Sequence, residues 1–532
     1  MPRVLLLKEL SRYPIGTFAD ILYRDSLLYP DRVAFVSEGK RITYAEYNSR
    51  ANRLVHALYG LGLRKGDVIG ILSWNCLEFV DLYAAAMKGG LIASPFNPRL
   101  KPDEIEFVIR YSEAKALFVG PEFLPVADWM RPRLAMVGHF ISLEGAVPGM
   151  TEHRELLETG ADEEPHISLD ENDPVCIIYT SGTTGLPRGA LYTHGRMMED
   201  TKQLIRDLAL QEGETHVQIT PLFHIAGNAF FRAFFCTGGR NIIMRSFDPR
   251  ATLQAIQDER ATHMMFVPTQ LVAMLSVSDL DRYDMSSMKM MWYGGSPMPL
   301  EILKRGMAAF GPVFGQGYGQ SESGPGISHL SREDHKRLNG SESDRRRLSS
   351  AGRPDMGVQV RILNGEGEDC EAEEVGEIVV RSKQLMVEYW KRPDDTRAKT
   401  VDGWLRTGDI GFYDQGGYIY IVDRKADMII SGGEHVYPRE VEDVLYTHPA
   451  VQEAAVIGVP DHYWVERVHA VIVRRPEAKA TAEEIISYCK ERLAGYKAPK
   501  SIEFVESMPK NAAGKILKRD LRRGARPLPF SQ

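Results

Sequence analysis

Residues 179–189, YTSGTTGLPRG, combine glycines, hydroxyl side chains and an arginine directly after the apolar run VCIIYT. Glycines allow backbone N–H groups to point into one concavity, hydroxyls add donors, and such a nest binds phosphate oxygens. Arg188 adds a fixed positive charge. The stretch therefore predicts a polyphosphate-binding loop, with a Gly/Thr-rich surface turn as the alternative on composition alone. It is not a Walker A loop, because GxxxxGK[ST] occurs nowhere in the chain.

Three side chains further along suit other parts of a nucleotide. Glu322, in GQGYGQSE, offers the hard oxygen ligand that Mg²⁺ prefers, although a solvated surface glutamate is the alternative. Tyr318 lies between two glycines, which suits a ring stacked on adenine as well as a tyrosine of the core. Asp409, in GWLRTGDIG, suits the two hydroxyls of a ribose, or else a cap on the following segment.

Taken in order, these strings and four others resemble the motifs of the AMP-forming adenylation superfamily, which includes acyl-CoA synthetases, peptide-synthetase adenylation domains and firefly luciferase. That family's phosphate loop has the form [YF]TSGTTGxPKG. The four other strings are PLFHIAG (221–227), WYGGSPMP (292–299), DRKADMIISGGEHVYPREVE (423–442) and PKNAAGKILKRDL (509–521). The resemblance runs from about residue 31 to residue 521 and implies an acid–thiol ligase that uses ATP, Mg²⁺ and CoA.

The resemblance also implies the roles of individual residues. Those implied to bind ATP or AMP are Thr180, Ser181, Gly182, Thr183, Thr184, Gly185, Arg188, Gly295, Ser296, Pro297, Gln316, Gly317, Tyr318, Gly319, Gln320, Ser321, Asp409, Arg424 and Lys515. Those implied to act in catalysis are Lys515, Glu322 and His224, and those implied to hold the metal are Glu322 and Thr180. Those implied to contact CoA are Ser431, Gly432 and Gly433, and those implied to border the acyl group are His224, Asn228, Phe231, Trp292, Gly294 and Ser323.

Only the family motif distinguishes Lys515 from the other lysines of a basic C-terminal segment. The resemblance implies that its ammonium stabilises the charge that develops when a carboxylate attacks the α-phosphate. It further implies that the small C-terminal domain rotates about residues 423–427. Lys515 would then serve adenylate formation, and Ser431 to Gly433 would serve thioester formation.

Several residues depart from the family's pattern. Arg188 replaces the usual lysine of the phosphate loop, and Ser321 takes the place of a threonine. Ala426 occupies the position of a polar hinge residue, His435 replaces an asparagine, and Val465 replaces a common glycine. We expect these changes to affect phosphate, hinge and CoA contacts rather than the type of reaction.

The acid that is activated is less well defined by the sequence. Amino-acid-activating relatives carry an aspartate where this chain has His224, and an unpaired α-ammonium would be costly to bury. We expect a medium- or long-chain fatty acid. The alternatives are an aryl acid of the coumarate type, a dicarboxylic acid held by Arg232, or transfer of the acyl group to a carrier protein. A luciferase-like oxidase and a non-catalytic nucleotide-binding relative are the competing classes.

The elements that must position these residues follow from hydrophobic patterning. Strand-like and helix-like stretches alternate over residues 42–120 and again from 241 to 294, which is typical of parallel α/β packing. Residues 331–350 are polar and charged and predict a solvated loop. Short β runs separated by glycine turns follow, and the last hundred residues mix strands with a helix.

We therefore predict a fold that is α/β plus α+β. A large N-terminal domain of two α/β subdomains and a small β-barrel spans residues 1–422, a hinge spans 423–427, and a small mobile α+β domain spans 428–532.

Composition limits the classes of partner and compartment. The net charge of −7 gives no general attraction to nucleic acid or to a membrane surface. The five cysteines show no CxxC spacing, which argues against a zinc site or a disulfide framework. We expect no signal peptide, no membrane span and a cytoplasmic protein. The sequence allows a homodimer without indicating one.

Overall fold

The computed structural model describes residues 16–180, 187–338, 340–424, 427–431, 434–461, 464–476, 478–510 and 514–524. The first part of the chain alternates strands and helices, as its patterning predicts. Its strands are β1 (Val33–Ser37), β2 (Lys40–Thr43), β3 (Val68–Leu72), β4 (Ile92–Pro95), β5 (Ala116–Val119), β6 (His139–Ser142), β7 (Thr151–Glu152), β8 (Pro174–Thr180) and β9 (Arg188–Thr193). Its α-helices are α1 (Phe18–Leu28), α2 (Tyr44–Gly60), α3 (Leu77–Gly89), α4 (Pro102–Ser112), α5 (Leu124–Met130) and α6 (His153–Thr159).

The next part repeats the alternation. Its helices are α7 (His194–Asp207), α8 (Ile225–Phe235), α9 (Pro249–Glu259), α10 (Pro268–Leu275), α11 (Leu300–Phe310), α12 (Arg332–His335) and α13 (Glu342–Arg347). Its strands are β10 (Thr215–Gln218), β11 (Arg240–Ile243), β12 (His263–Phe266), β13 (Met290–Gly294), β14 (Phe314–Gln320), β15 (Gly324–Leu330) and β16 (Arg353–Pro354). Short 3₁₀ turns lie at Pro121–Phe123, Arg131–Arg133 and Leu280–Arg282.

The remaining elements of the large domain form a small sheet and its edge. They are β17 (Val358–Leu363), β18 (Gly376–Ser382), β19 (Glu388–Tyr389), α14 (Pro393–Lys399), β20 (Thr400–Val401), β21 (Trp404–Tyr413) and β22 (Ile419–Arg424). The small sheet has five strands in the order β17-β18-β21-β20, with β22 also paired to β21.

Two larger sheets form the body of the molecule. One has eight strands in the order β19-β9-β8-β4-β3-β5-β6-β7, and the other has nine in the order β16-β15-β14-β13-β12-β10-β11-β1-β2. Their central strands are parallel, and α3 and α8 are buried almost throughout, as expected when helices cover both faces of such sheets. The carboxyl ends of parallel strands carry the loops that form a site in folds of this kind.

The C-terminal part has its own apolar core, which includes Ile429, Val441, Val456, Ile472 and Ile485. Its elements are β23 (Ile429–Ser431), β24 (Glu434–Val436), α15 (Pro438–Tyr446), β25 (Val451–Asp461), β26 (Val465–Arg474), α16 (Ala482–Lys490), β27 (Ser501–Phe504) and α17 (Lys518–Gly524). The sheet order is β24-β23-β26-β25, and β27 also pairs with β26. The fold class predicted from the sequence is thus confirmed, as two α/β sheets, a small five-stranded sheet and a separate α+β unit.

Two details differ from the sequence-based predictions or lie beyond them. The stretch 331–350 contains α12 and α13, because Ser331 and Ser341 each form a capping box with an aspartate three residues later. The predicted hinge begins inside β22, whose last residues are Asp423 and Arg424, and Lys425 and Ala426 lie outside the described residues. The domain boundaries therefore stay a prediction. Among the helices that the structure describes, none is both long enough and apolar enough to span a bilayer.

Candidate active site

The glycine- and threonine-rich segment connects two antiparallel strands. β8 ends at Thr180 and β9 begins at Arg188, and these two residues face each other across the pair. Ser181, Gly182, Thr183, Thr184 and Gly185 lie outside the described residues. The structure therefore gives the two ends of the predicted phosphate loop, and its interior stays a prediction.

Asp409 is the centre of a dense polar network at the end of β14 and the middle of β21. Tyr318 Oη and Gln320 Nε2 each donate to Asp409 Oδ2 at 2.6 Å. Arg424 Nε lies 2.5 Å from Oδ1, because Asp409 and Arg424 are partners in the β21–β22 register. Burial opposes the charge of Arg424, but Asp409 and other acids outweigh it and raise its pKa. Asp409 is only 2% exposed, and three donors hold its carboxylate in one orientation.

Glu322 and Arg188 are joined through one tyrosine. Tyr389 Oη donates to Glu322 Oε1 at 2.7 Å, and the Arg188 guanidinium lies 5.5 Å from the centre of the same ring. Arg188 Nε also lies 3.2 Å from Asp395 Oδ2. Burial, and then the charge of Glu322, raise the pKa of Tyr389, so its hydroxyl keeps its proton and stays a donor. The sequence did not point to Tyr389, which reaches the site because β19 pairs with β9.

Lys515 comes from the C-terminal unit but lines a cavity of the large domain. The cavity is about 130 Å³ in volume, and Lys515 shares its wall with His224, Gly294, Gly295, Gly317 and Gly319. The loop is held there because Thr269 Oγ1 donates to Gly514 O at 3.2 Å. Gly514 has φ of +79°, and a Cβ there would lie 2.8 Å from Val267 Cγ2, so both conformation and space require glycine. Burial, and then the charge of Arg424, lower the pKa of Lys515.

His224 sits at the start of α8 with its ring beside Lys515. Its Nδ1 accepts from the N–H of Ala226 at 3.3 Å, which caps the helix. Burial, and then the charge of Lys515, lower the pKa of His224 to about 4. The ring is therefore neutral near pH 7, and with Nδ1 occupied as an acceptor its proton lies on Nε2. A neutral imidazole N–H is suited to donate to a substrate carboxylate.

A second lysine, Lys399, belongs to the same group of charges. It ends α14, and its Nζ donates to Thr407 O at 3.1 Å. The same carbonyl accepts from Gln320 Nε2 at 3.1 Å, which brings the ammonium beside the Asp409 network. Burial lowers the pKa of Lys399, while the nearby charge of Glu322 raises it in part. Nothing in the sequence around Lys399 signalled this position.

The other residues predicted to bind the nucleotide fall into two groups. Gly295, Gly317 and Gly319 line the cavity. Ser296 and Pro297 lie in the turn between β13 and α11, Gln316 is paired with Tyr293 in the sheet, and Ser321 O accepts from Tyr192 Oη at 2.5 Å. Tyr318 is buried with its hydroxyl on Asp409, and its ring does not line the cavity.

Ser431, the described residue of the predicted CoA segment, is not among the residues that line this cavity. Ser431 is fully buried at the end of β23 and its hydroxyl finds no partner among the described residues, while Gly432 and Gly433 are outside them. Arg439 ties this unit to the large domain, since its guanidinium donates to Ile421 O at 2.6 Å and to Ser349 O at 3.0 Å. In this arrangement Lys515, and not Ser431, faces the cavity.

Half of the predicted acyl-pocket residues line the cavity and half do not. His224, Trp292 and Gly294 line it, together with Ala226 and Phe230 from α8. The predictions of Asn228, Phe231 and Ser323 as lining residues are corrected by the structure. Asn228 Oδ1 accepts from Arg232 at 2.8 Å, Phe231 packs on Phe35, Tyr83 and Phe235, and Ser323 is fully buried in a turn with Gln320. On α8, Phe231 is one residue and therefore about 100° further around the helix than Phe230, which faces the cavity.

Arg232, considered as a clamp for a second carboxylate, is also excluded from the cavity. Its guanidinium pairs with Asp200 at 2.8 Å, and both side chains are 0% exposed. It therefore supports the packing of α8 on α7.

Comparison with known proteins identifies the class to which this site belongs. Residues 23–390 match the AMP-binding enzyme family, and residues 440–515 match the AMP-binding enzyme C-terminal domain. The feruloyl-CoA synthase of an Amycolatopsis species is 35% identical over 502 residues, covering 94% of this chain and 97% of the relative. The long-chain-fatty-acid–CoA ligase FadD13 of Mycobacterium tuberculosis is 37% identical over 482 residues, covering 91% of this chain and 93% of the relative.

A solved structure leads to the same class. The anthranilate CoA ligase AuaEII, in complex with anthranoyl-AMP, aligns with a TM-score of 0.88 at 28% identity, covering 97% of this chain and 98% of that one. The chain belongs to the AMP-binding enzyme family. It is a ligase of the AMP-forming acyl-CoA synthetase class.

Proposed function

We propose that this enzyme activates a carboxylic acid with an apolar body as its acyl-adenylate and then transfers the acyl group to CoA. The observation that carries the proposal is the position of Lys515, which lines one cavity with His224 while the Asp409–Arg424 pair lies close by. A nucleotide held by Asp409 would have its phosphates next to three cations, namely Arg424, Lys399 and Lys515.

In the first half of the reaction, a carboxylate oxygen attacks the α-phosphorus of ATP. A new P–O bond forms, the bond to the oxygen that bridges to the β-phosphorus breaks, and pyrophosphate leaves with that electron pair. Charge increases on the α-phosphate oxygens, and the Lys515 ammonium in its partly buried position stabilises that charge more than the charge of the ground state. His224 Nε2–H would orient the attacking carboxylate without taking a proton, because carboxylates are already ionised near pH 7.

The residues present fit a divalent metal ion. Tyr389 donates to Oε1 of Glu322, which leaves Oε2 to face a metal ion. Thr180 is the last residue of β8, next to the phosphate segment. Hard oxygen donors of this type suit Mg²⁺, which when bound would neutralise charge on the ATP phosphates. Tyr389 holds the Glu322 carboxylate in orientation for that task.

In the second half, the sulfur of CoA attacks the carbonyl carbon of the adenylate. The thiol releases its proton to solvent, a C–S bond forms, the C–O bond to the phosphate breaks, and AMP leaves with that electron pair. Two guanidinium groups, those of Arg99 and Arg245, line the cavity beside Trp74, and both remain charged at neutral pH. They suit a phosphorylated thiol. Lys515 occupies the cavity wall in the present arrangement, so we infer that the C-terminal unit moves before the thiol enters and brings the Ser431 segment there.

Arg232 gives no support to a dicarboxylic substrate. The dicarboxylic alternative depended on Arg232, whose charge is already neutralised by Asp200. The names of the relatives cover an aromatic acid and long-chain fatty acids, which have an apolar body in common. The preference for a medium- or long-chain fatty acid rests on the resemblance alone.

Exchange of labelled pyrophosphate into ATP tests the proposal, measured with a panel of aromatic and straight-chain acids. We expect exchange with at least one acid, and formation of its CoA thioester with free CoA. Absence of exchange with every acid would overturn the proposal. Exchange without thioester on free CoA, but with acyl transfer to a phosphopantetheinyl protein, would redirect the second half to a carrier protein.

A further inference from the structure

The indole of Trp292 lies flat across the neighbouring strand at the base of the cavity. Trp292 is 5% exposed and stands in register with Gly315 of β14. A Cβ at Gly317 would lie 2.7 Å from Trp292 Nε1, and one at Gly315 would lie 2.9 Å from its Cε3. The two glycines therefore leave the space that the indole fills, and the strand accepts no larger residue without displacing it.

The far side of the indole is braced by a histidine. His329 on β15 stands in register with Gly317, so it projects on the same sheet face as Trp292, and the two ring centres are 6.2 Å apart. His329 Nδ1 is bonded to Asp355 Oδ1 and lies 3.9 Å from Asp207 Oδ2. Asp355, 4% exposed, also accepts from Gln203 of α7. The indole thus rests against a ring that two carboxylates and a helix hold in place.

The indole belongs to an apolar cluster of buried side chains. The other members come from α7 and the segment that follows it, from α8, and from β12 and β13; they are Leu204, Leu208, Leu210, Ala229, Phe230, Ala233, Phe234, Met265 and Met290. Phe230 and Met265 also line the cavity beside the indole. This cluster contains two alanines and two methionines. Its side chains can rearrange around a new ligand, because methionine adapts its shape readily. Removal of the indole would join the cavity to this cluster.

The size of the cavity agrees with a wall at this depth. Trp292 lies two residues before Gly294, or about 7 Å along the strand. Gly294 lines the cavity near Lys515. The cavity volume of about 130 Å³ is close to the roughly 150 Å³ of an engineered cavity that accepts one benzene molecule. A ring attached to the reacting carboxylate would fill this depth, whereas an extended alkyl chain that follows this strand would meet the indole.

We propose that Trp292, braced by His329 and Asp355, sets the acyl specificity of this enzyme and restricts it to acids with a compact, ring-sized body. This inference rests on the proposed acid–CoA ligation and selects the aromatic class over the long-chain class. Trp292 contacts the substrate in this proposal. His329 acts through it and is a positioning residue.

Steady-state kcat/KM values test the proposal with benzoate and cinnamate on one side and octanoate, dodecanoate and hexadecanoate on the other. For the natural chain we expect the ring acids to exceed dodecanoate and hexadecanoate by at least tenfold. In Trp292→Ala we expect the ratio to shift by at least tenfold toward dodecanoate, because the cavity opens into the apolar cluster. Trp292→Phe keeps a ring in place and should keep the preference for ring acids.

Two results would overturn the inference: a natural enzyme that prefers dodecanoate or hexadecanoate, or a Trp292→Ala ratio equal to that of the natural chain. If Trp292→Ala does not fold, Trp292→Leu opens the same wall with a smaller loss of packing and is read in the same way. Absence of activity with every acid in the natural chain would instead count against the proposed function.

His329→Gln separates the brace from a general structural role. Glutamine still bonds to Asp355 but presents no ring to the indole. We expect the ring-to-dodecanoate ratio to fall by about threefold while kcat with the ring acid stays within twofold of the natural enzyme. An unchanged ratio would remove His329 from the proposal, and an equal loss with all acids would show a structural role only.

Discussion

Lys515 and Lys399 bring two similar charges to one site from two different regions of the molecule. Both are half-buried, and burial lowers the pKa of each while the charge of Arg424 lowers it further. Lys515 follows Gly514 on a loop of the C-terminal unit that is held to the large domain through Thr269. Lys399 ends a helix of the large domain and is held by the carbonyl of Thr407.

The difference lies in what each lysine can do during a two-step reaction. A charge carried by a separate unit can leave after the first step, and its contribution is then confined to that step. A charge fixed beside Asp409 is present throughout. In the proposed reaction, the site would combine a permanent positive environment with one removable cation.

Lys515→Ala gives the largest effect. Loss of the ammonium should slow adenylate formation by about 10²- to 10³-fold, the usual cost of removing one charge-stabilising group from an active site. Thioester formation from supplied acyl-AMP and CoA should stay within about threefold of the natural rate. Pyrophosphate exchange and a thioester assay measure the two halves separately. Lys510→Ala, which removes an exposed lysine paired with Glu453 in the same segment, is the matched control.

The pH dependence of the first half provides a second measurement on Lys515. Because its pKa is lowered, the ammonium loses its proton below the ordinary lysine value of 10.5, and adenylate formation should fall with rising pH before that value is reached. Lys515→Arg should move this alkaline limb upward, since a guanidinium stays charged. An equal loss of both halves in Lys515→Ala, or a limb that does not move in Lys515→Arg, would contradict the assigned role.

Lys399→Met should give the next largest effect and a different pattern. We expect about a tenfold loss in adenylate formation, on the order of 1.4 kcal/mol, together with a loss of several-fold in thioester formation from supplied acyl-AMP. Methionine preserves the length of the side chain and removes only the charge. Lys391→Met, which removes an exposed lysine paired with Glu113, serves as the control. A loss restricted to the first half would make Lys399 equivalent to Lys515 and remove the distinction between them.

These two lysines also show what sequence can and cannot predict here. The strand–helix alternation and the Thr180–Arg188 ends of the phosphate segment follow from local patterning or from distinctive motifs. The motifs also single out Asp409 and Arg424, whereas their pairing across β21 and β22 is seen only in the structure. Lys399 could not be found because any lysine on a surface helix has the same sequence appearance. Its role depends on a contact with Thr407 that only folding creates.

The acyl pocket was half predictable for a similar reason. The motif at 221–227 points to His224 as a residue beside the acyl group, and His224 lines the cavity. The choice between Phe230 and Phe231 depends on the rotation of α8 about its axis, and two adjacent phenylalanines give no signal for it. In the structure Phe230 faces the cavity and Phe231 faces the core.

Thr269→Val weakens the docking of the removable lysine without touching its charge. The lost hydrogen bond to Gly514 O is worth about 0.5–1.5 kcal/mol, so adenylate formation should fall by about two- to tenfold while the second half is unchanged. Ser276→Ala removes a hydroxyl that bonds within the same helix region, to Val272 O, and should change neither half. A Thr269→Val variant with unaltered adenylate formation would show that this contact does not hold Lys515 in place.

The smallest effect is expected at Val465, in the C-terminal unit that carries Lys515. Val465 has φ of +69°, a conformation that a β-branched residue rarely adopts, and it pairs with Ser431 of the segment proposed to meet CoA. Such strain costs about 1–3 kcal/mol, and glycine would relieve it while losing about 0.5–1 kcal/mol of backbone entropy. Val465→Gly should therefore raise the free energy of unfolding by up to about 1 kcal/mol, which is measurable by denaturant titration.

Val465→Ala is the matched comparison, because it shortens the side chain but keeps the Cβ that clashes at positive φ. We expect alanine to leave stability near that of the natural chain and glycine to exceed both. Val465 is 65% exposed, so a loss of apolar packing cannot mask the result. If glycine proves no more stable than alanine, the backbone at this position is not strained, and the departure from the family's glycine has no energetic consequence for the unit that moves.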